Sequence, residues 1–300
     1  MCMGYADFHI HSCKSDGVLT EEALIELAIE NGITVMAFTE HNYFMGRERF
    51  EELQKKYEGR IRLVPGVEIS CMYETMEGIV REIHVVALDF DMDKMDFLKD
   101  NVSDRKGYLT ALKEKLAEIS IYIPDYEEFV KMYPDSKHIG RKHVANYLWK
   151  EGIMESEDAV FDELIGTFGE RKAFVPANQF HRYGTHEEMV KKIVEANGYA
   201  IVAHAFYYQF IEEEIHRMLK KHKEYAKELA GMEVLYSKYD KETCARLKEL
   251  ALKYEMVQSC GSDYHTPGRD SLDNRYCAMI WEKMEARKQE IMLLKKLNWI

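Results

Sequence analysis

Three hundred residues with 46% hydrophobic content are enough for a sizeable core, built as one large or two ordinary domains. A formal net charge of −12 opposes binding to a long nucleic acid, because affinity for that backbone comes largely from counterion release by clustered Lys and Arg. It leaves room for a small phosphorylated substrate, since bound cations can neutralise acidic side chains locally.

Asp7 to Gly17 reads Asp-Phe-His-Ile-His-Ser-Cys-Lys-Ser-Asp-Gly. In an extended strand His9 and His11 alternate across Ile10 and face one side, the geometry needed to grip a divalent cation, and Asp16 follows in a polar turn. Thr20 to Gly32 predicts a helix with a Thr cap, an acidic first turn and a glycine stop. Ile33 to Phe38 is a short apolar strand running into Thr39-Glu40-His41-Asn42. A helix at about Arg47 to Tyr57 leads to the strand Ile61 to Ser70, which carries Glu68. Ile83-His84-Val-Val-Ala-Leu predicts a further strand.

From 92 to 171 helical periodicity dominates, through Asp104 to Ile119, Tyr126 to Tyr133, His138 to Glu151 and Ser156 to Ile165. This predicts a helical insertion domain between a first body part at 1–91 and a second at 172–300 that ends in a C-terminal amphipathic helix. The alternation resumes with a capping box at Thr185 and Glu188. Tyr199 to Ala203 then delivers His204, Met232 to Leu235 is another strand, and Met256 to Cys260 delivers Gly261-Ser-Asp263-Tyr-His265.

The six cysteines include no Cys-x-x-Cys pair, which argues for reduced thiols over disulfides or a thiolate zinc site. The first residues lack a basic start with an apolar run, and no stretch is apolar enough to span a bilayer. A cytoplasmic protein without membrane contact is expected.

Short apolar strands alternating with helices imply an α/β fold with a parallel sheet, and ionisable residues at five or six strand ends favour a barrel that gathers them on one face. His9, His11, Asp16, His41, Glu68, His84, His204, Asp263 and His265 are then candidate N/O ligands. Nine are too many for one ion and suit two or three. Without thiolates the metals would be Mn, Fe or Zn, with Glu68 as a bridge. Close cations acidify a shared water and absorb phosphoryl charge, which makes phosphoester hydrolysis by a metal-activated hydroxide the natural reaction. Amide or ester hydrolysis stays open on chemistry alone. Neither a Gly-x-Ser-x-Gly elbow nor a Walker loop is present.

His9-Ile-His11-Ser, Ser15-Asp16-Gly17, Thr39-Glu-His41-Asn, Pro65-Gly-Val-Glu68, Ile83-His84, Ala203-His204 and Gly261-Ser-Asp263-Tyr-His265 resemble, in order, the motifs of the PHP (polymerase and histidinol phosphatase) phosphoesterases. The resemblance implies a distorted (β/α)7 barrel with a trinuclear centre. Carried over, His9, His11, Glu68 and Asp263 would hold one ion, Glu68, His84 and His204 a second, and Asp16, His41 and His265 a third. The layout is most similar to stand-alone members acting on nucleoside 3',5'-bisphosphates, AMP or short RNA from its 5' end. Arg141-Lys-His143 resembles their Arg-x-His element. Arg141 offers a fork for a phosphate and His143 a proton for the leaving oxygen. Histidinol phosphate phosphatase and a non-catalytic metal-binding module are the alternatives.

Glu40 stands where these proteins usually have Asp, a change tolerated if the residue only orients His41. Ala205 stands for the usual Pro. Tyr207 and Tyr208 follow as candidates for base stacking, His181 as a candidate phosphate contact, and His216 and His222 as members of a solvated helix face.

Overall fold

The computed structural model describes residues 4–167, 170–176, 179–267, 276–277 and 279–297. In chain order the strands are β1 (Tyr5–Ile10), β2 (Ile33–Phe38), β3 (Arg62–Leu63), β4 (Gly66–Glu74), β5 (Val80–Leu88), β6 (Val102–Ser103), β7 (His181–Arg182), β8 (Tyr199–Val202), β9 (Ala230–Tyr236), β10 (Val257–Gly261) and β11 (Tyr276–Cys277). The α-helices are α1 (Glu21–Glu30), α2 (Arg47–Lys56), α3 (Arg105–Glu118), α4 (Tyr126–Met132), α5 (Arg141–Lys150), α6 (Glu157–Val160), α7 (His186–Glu195), α8 (Glu212–Ala226), α9 (Lys241–Lys253) and α10 (Met279–Lys296).

The chain divides into two compact units. The first takes the described residues of Met1–Ser12, Gly17–Lys99 and Gly184–Ile300; the second takes Cys13–Asp16 and Asp100–Tyr183. The sequence reading put the helical segment at 92–171. Residues before 100 side with the first unit because Met95 and Leu98 are buried in its core. Residues up to 183 side with the second because β7 pairs with β6 and Phe180 packs with its core. That core is helical, with Leu112, Leu116, Phe129, Val144 and Leu148 fully buried.

In the first unit the strands form two sheets, in the orders β11-β1-β2-β3 and β10-β9-β8-β5-β4. Single parallel bridges, Ile10 to Tyr264 and His41 to Glu68, stitch the sheets together at the end of β1 and just beyond β2. Among the described residues the ladder does not close continuously, and it is not all parallel, which corrects the parallel sheet expected from the strand–helix alternation. β5 pairs antiparallel with both β4 and β8. The physical reason lies in the link between β4 and β5: the turn from Thr75 to Ile79 is far too short for the crossover that a parallel neighbour requires.

Alternation along the strands sorts side chains between two cores. Val67, Ile69, Ile83, Val85, Ala200, Val202, Met232 and Val234 face α7, α8 and α9. Phe8, Val35, Ala37, Val86, Leu88, Ile201 and Cys260 face the interior between the sheets, where Trp281, Met284 and Ile291 of α10 join them. On α10, Met292 and Leu293 stay exposed, as does Leu297 just past its end. Glu68, His84 and Glu233 alternate with the first set and therefore point inward, where a charged group must find partners.

Candidate metal centre

Glu68, 1% exposed, is the hub. His84 Nδ1 and His204 Nε2 lie 2.8 and 3.0 Å from its Oε1, and His9 Nε2 is 3.3 Å from the same oxygen. His41 Nδ1 and His11 Nε2 lie 2.9 and 3.4 Å from Oε2. Asp263 forms a second focus: its Oδ1 is 3.3 Å from His11 Nε2, 3.6 Å from His9 Nε2 and 3.5 Å from His265 Nδ1. Tyr236 and Lys238 donate to Asp263 Oδ2 at 2.7 and 3.3 Å.

His9, His11, His41, His204, Asp263 and His265 do sit at or just past strand ends. Glu68 and His84 do not, which corrects the sequence reading of each as a strand terminus. Glu68 is the third residue of β4 and His84 the fifth of β5, and the hairpin register sets them diagonally on one face. His204 and Asp263 adopt φ of 29° and 54°. Such backbone is sparsely populated for residues other than glycine, and strain of this kind clusters at functional sites.

Charge in the cluster alternates. Burial opposes the charge on Glu68, yet His84, His9 and His41 hold its carboxyl well below the usual range. Burial opposes a cation at His9 too, but Glu68 and Glu233 raise its pKa well above the ordinary value. Desolvation opposes a cation at the half-buried His84 as well, but Glu68 and Glu82 raise it to about 9. His11, buried against His265, is pushed down to about 3. Asp263 is held low against burial by Lys238 and His265.

Such a cluster fits divalent ions. His9 has a carboxylate oxygen near each ring nitrogen, at 3.1 Å from Nδ1 and 3.3 Å from Nε2, so it either carries an extra proton or shares a cation. His9 Nε2 and His204 Nδ1 are buried with no hydrogen-bond partner, the condition that a bound ion relieves. Donor atoms lie within 4.8 Å of one another in the sets His9, Glu68 and His204; His9, His11 and Asp263; His41, Glu68 and His84; and His11, His41 and His265.

The remaining sequence candidates belong to the second unit. Asp16 closes the Cys13–Asp16 segment, and Ser15 Oγ donates to its Oδ1 at 3.3 Å. Arg141 and His143 open α5. Arg141 Nη1 donates to Thr167 Oγ1 at 3.2 Å, and His143 Nδ1 accepts from Gly140 N–H at 3.2 Å. His181 Nδ1 pairs with Ser103 Oγ at 2.8 Å.

Four residues escaped the sequence reading. Glu233 bridges His9 Nδ1 and the His204 backbone N–H, at 3.1 and 2.8 Å; a lone acid inside an apolar strand was the available signal. Asp7 accepts from the backbone N–H groups of His9 and Ser262 at 3.1 and 3.0 Å, and burial lifts its carboxyl to about 7. Tyr236 and Lys238, on Asp263, had no signal. Glu40 accepts from Ser12 N–H and Ser12 Oγ at 3.0 and 2.5 Å, fixing the turn after His11.

Two aromatic candidates separate. Tyr208 is buried, accepting from His84 N–H at 2.7 Å and donating to Ala203 O at 3.2 Å, which removes it from base stacking. Tyr207 is exposed with its ring edge-on to His204. His222, expected in solvent, is fully buried and stacked on His186. Cys13, Cys71, Cys244 and Cys260 are free thiols, while Cys2 and the Cys277 side chain lie outside the described residues. Among the described residues no helix is long and apolar enough to cross a membrane.

The PHP domain family matches residues 7–195, the stretch that carries His9, His11, His41, Glu68 and His84. The chain belongs to this family. Among PHP relatives, a 5'-3' exoribonuclease of Haemophilus influenzae is 29% identical over 264 residues, covering 87% of this chain and 90% of its own. A 3',5'-nucleoside bisphosphate phosphatase of Chromobacterium violaceum is 25% identical over 294 residues, covering 95% and 98%. Of solved structures, an amidohydrolase from Chromobacterium violaceum matches with TM-score 0.74 at 24% identity, covering 94% of this chain and 96% of that one. That last likeness concerns the fold.

Proposed function

We propose that the chain is a phosphatase of small nucleotides, taking the phosphomonoester of a nucleoside 3',5'-bisphosphate, of AMP or of a short oligonucleotide. It is a phosphoric ester hydrolase by class, as its PHP membership and donor set together require. The observation that carries the reading is five imidazoles converging on the buried carboxylate of Glu68. Its relatives named for nucleoside bisphosphate and RNA substrates favour a nucleotide.

His9, His11, Glu68 and Asp263 would hold one ion, Glu68, His84 and His204 a second, and Asp16, His41 and His265 a third, with Mn, Fe or Zn suited to the N/O donors. Bound there, two or three such ions supply Lewis acidity and lower the pKa of water. Arg141, whose fork matches a phosphate, binds the part of the substrate that does not react. His143 spends Nδ1 on the Gly140 N–H at 3.2 Å, so a proton for the leaving oxygen comes from Nε2. Tyr207 offers an exposed ring for a base. A cytoplasmic location, and no long nucleic acid substrate, belong to the same reading.

Metal analysis of protein purified without chelator, run with a panel of adenosine 3',5'-bisphosphate, AMP, a short 5'-phosphorylated RNA and histidinol phosphate, tests it. At least two equivalents of transition metal and a preference for the nucleotides are expected. Less than one equivalent, unchanged p-nitrophenyl phosphate turnover in His9→Ala, or a preference for histidinol phosphate would overturn it.

A further inference from the structure

We propose that Glu233 is a positioning residue that sets His9 and the His204 turn in their metal-binding arrangement. The inference rests on the reading of this cluster as a metal centre. Glu233 is 2% exposed, in the middle of β9, and belongs to none of the donor sets found among the described residues. Its two oxygens do separate work on residues from two other strands.

Oε1 lies 3.1 Å from His9 Nδ1. This oxygen accepts from the His9 ring when the ring hydrogen sits on Nδ1. The lone pair of a neutral His9 is then left on Nε2, the nitrogen that faces Glu68 and Asp263 at 3.3 and 3.6 Å. The opposite tautomer would place a hydrogen where a cation must bind. Oε2 accepts from the backbone N–H of His204 at 2.8 Å. That residue sits at φ 29°, ψ 51°, a conformation needing an anchor to persist. Relaxation of the turn would swing the His204 ring away from Glu68, 3.0 Å distant.

The neighbouring strand respects this arrangement. A Cβ at Gly261 would lie 2.2 Å from His9 Cβ and 2.4 Å from Glu233 Oε1, so β10 can pass only as glycine. Glu233 thus couples donors contributed by β1 and by the turn after β8, and its loss should weaken more than one donor set.

The test uses Glu233→Gln, equal in size and uncharged. A glutamine has one acceptor and one NH2 group, so either His9 Nδ1–H or the His204 N–H must face a donor. Mn(II) titration of chelator-stripped protein should show affinity lowered about 10- to 100-fold, the usual effect of losing the partner of a ligating histidine. Melting of the stripped variant should fall by less than about 6 °C relative to stripped wild type, because one buried donor loses its acceptor while the desolvation cost of the buried charge is relieved. Binding within about twofold of wild type would overturn the proposal. So would a fall of about 8 °C or more in the stripped variant, since Glu233 would then be a general support of the core. Independently of any variant, nitrogen-resolved NMR of zinc-loaded wild type should find the His9 ring hydrogen on Nδ1, and finding it on Nε2 would also overturn the proposal. If stripped wild type itself binds no Mn(II) or Zn(II), it is the metal-centre reading that fails.

Discussion

His84 Nδ1 lies 2.8 Å from Glu68 Oε1 across the antiparallel β4–β5 ladder, in which His84 opposes Ser70 and Glu68 opposes Val86. The two residues are diagonal neighbours on the interior face, so the hairpin register alone sets their separation. A one-residue slip of either strand would send its ligand into the packed core on the other side and part the two. Placing the shared carboxylate inside a paired strand, and not on a loop, fixes it more rigidly than His41 and His204, which lie beyond the ends of β2 and β8.

Replacing that carboxylate should remove the hub. In Glu68→Gln, metal retained through purification should fall below half the wild-type content, and phosphate release from p-nitrophenyl phosphate should fall about 100-fold or more. The stripped variant should also melt lower than stripped wild type at pH 7. His9 and His84, whose pKa values the carboxylate raises, would lose their counter-charge, and breaking a buried pair costs about 3–5 kcal/mol. Plasma emission analysis and calorimetry check the two parts separately.

Stability on the acid side should depend on a histidine pair away from this cluster. His222 Nε2 pairs with Ala200 O at 2.9 Å and its Nδ1 with His186 Nε2 at 2.9 Å, so the pair is buried as neutral rings. Burial pushes His222 down to about 4 from an ordinary 6.5. The folded state therefore binds its proton more weakly than the unfolded chain. The contribution is present above about pH 6.5 and is lost as pH falls toward 4, amounting to about 2 kcal/mol between pH 7 and pH 5. Urea unfolding at the two pH values should show this loss, and His222→Phe should show an acid limb flatter by about that amount.

That histidine marks one limit of reading the sequence. His222 lies in a strongly charged run and was expected in solvent, yet the turn of α8 that carries it faces β8. His9, His11, His41, His204 and His265 were legible because each follows a run of apolar strand residues, where a polar group stands out. Glu68 and His84 were named as candidate ligands while their strand context was misread. The β4–β5 hairpin looks, one strand at a time, like two members of a parallel alternation. Glu233 stayed hidden because attention to strand ends passes over an acid in mid-strand, and its meaning emerges only once β9 lies beside β1 and β8. The grouping of Cys13–Asp16 with a unit that begins again at Asp100 is a long-range fact with no local trace.

Tyr208 should prove a fastener for the site and not a substrate contact. Its hydroxyl accepts from His84 N–H and donates to Ala203 O, joining β5 to the end of β8 one residue before His204. Tyr208→Phe leaves a buried N–H without its acceptor, which costs about 1–3 kcal/mol. Denaturant unfolding should show that loss, while KM for a nucleotide substrate changes less than about threefold. A large rise in KM with unchanged stability would mean that the ring does meet the substrate.

Arg141 separates recognition from chemistry. At the start of α5 its guanidinium donates to Thr167 Oγ1 at 3.2 Å. If it grips a second, non-reacting phosphate, Arg141→Ala should raise KM for adenosine 3',5'-bisphosphate about 10- to 100-fold, in line with a charged hydrogen-bonded contact of about 1.5–3 kcal/mol. Turnover of p-nitrophenyl phosphate, which has only the reacting phosphate, should change by less than about threefold. Arg141→Lys should recover only part of the loss, since an ammonium cannot make the bidentate contact. Equal losses on both substrates would place Arg141 on the reacting phosphate, and no loss on either would remove it from the site.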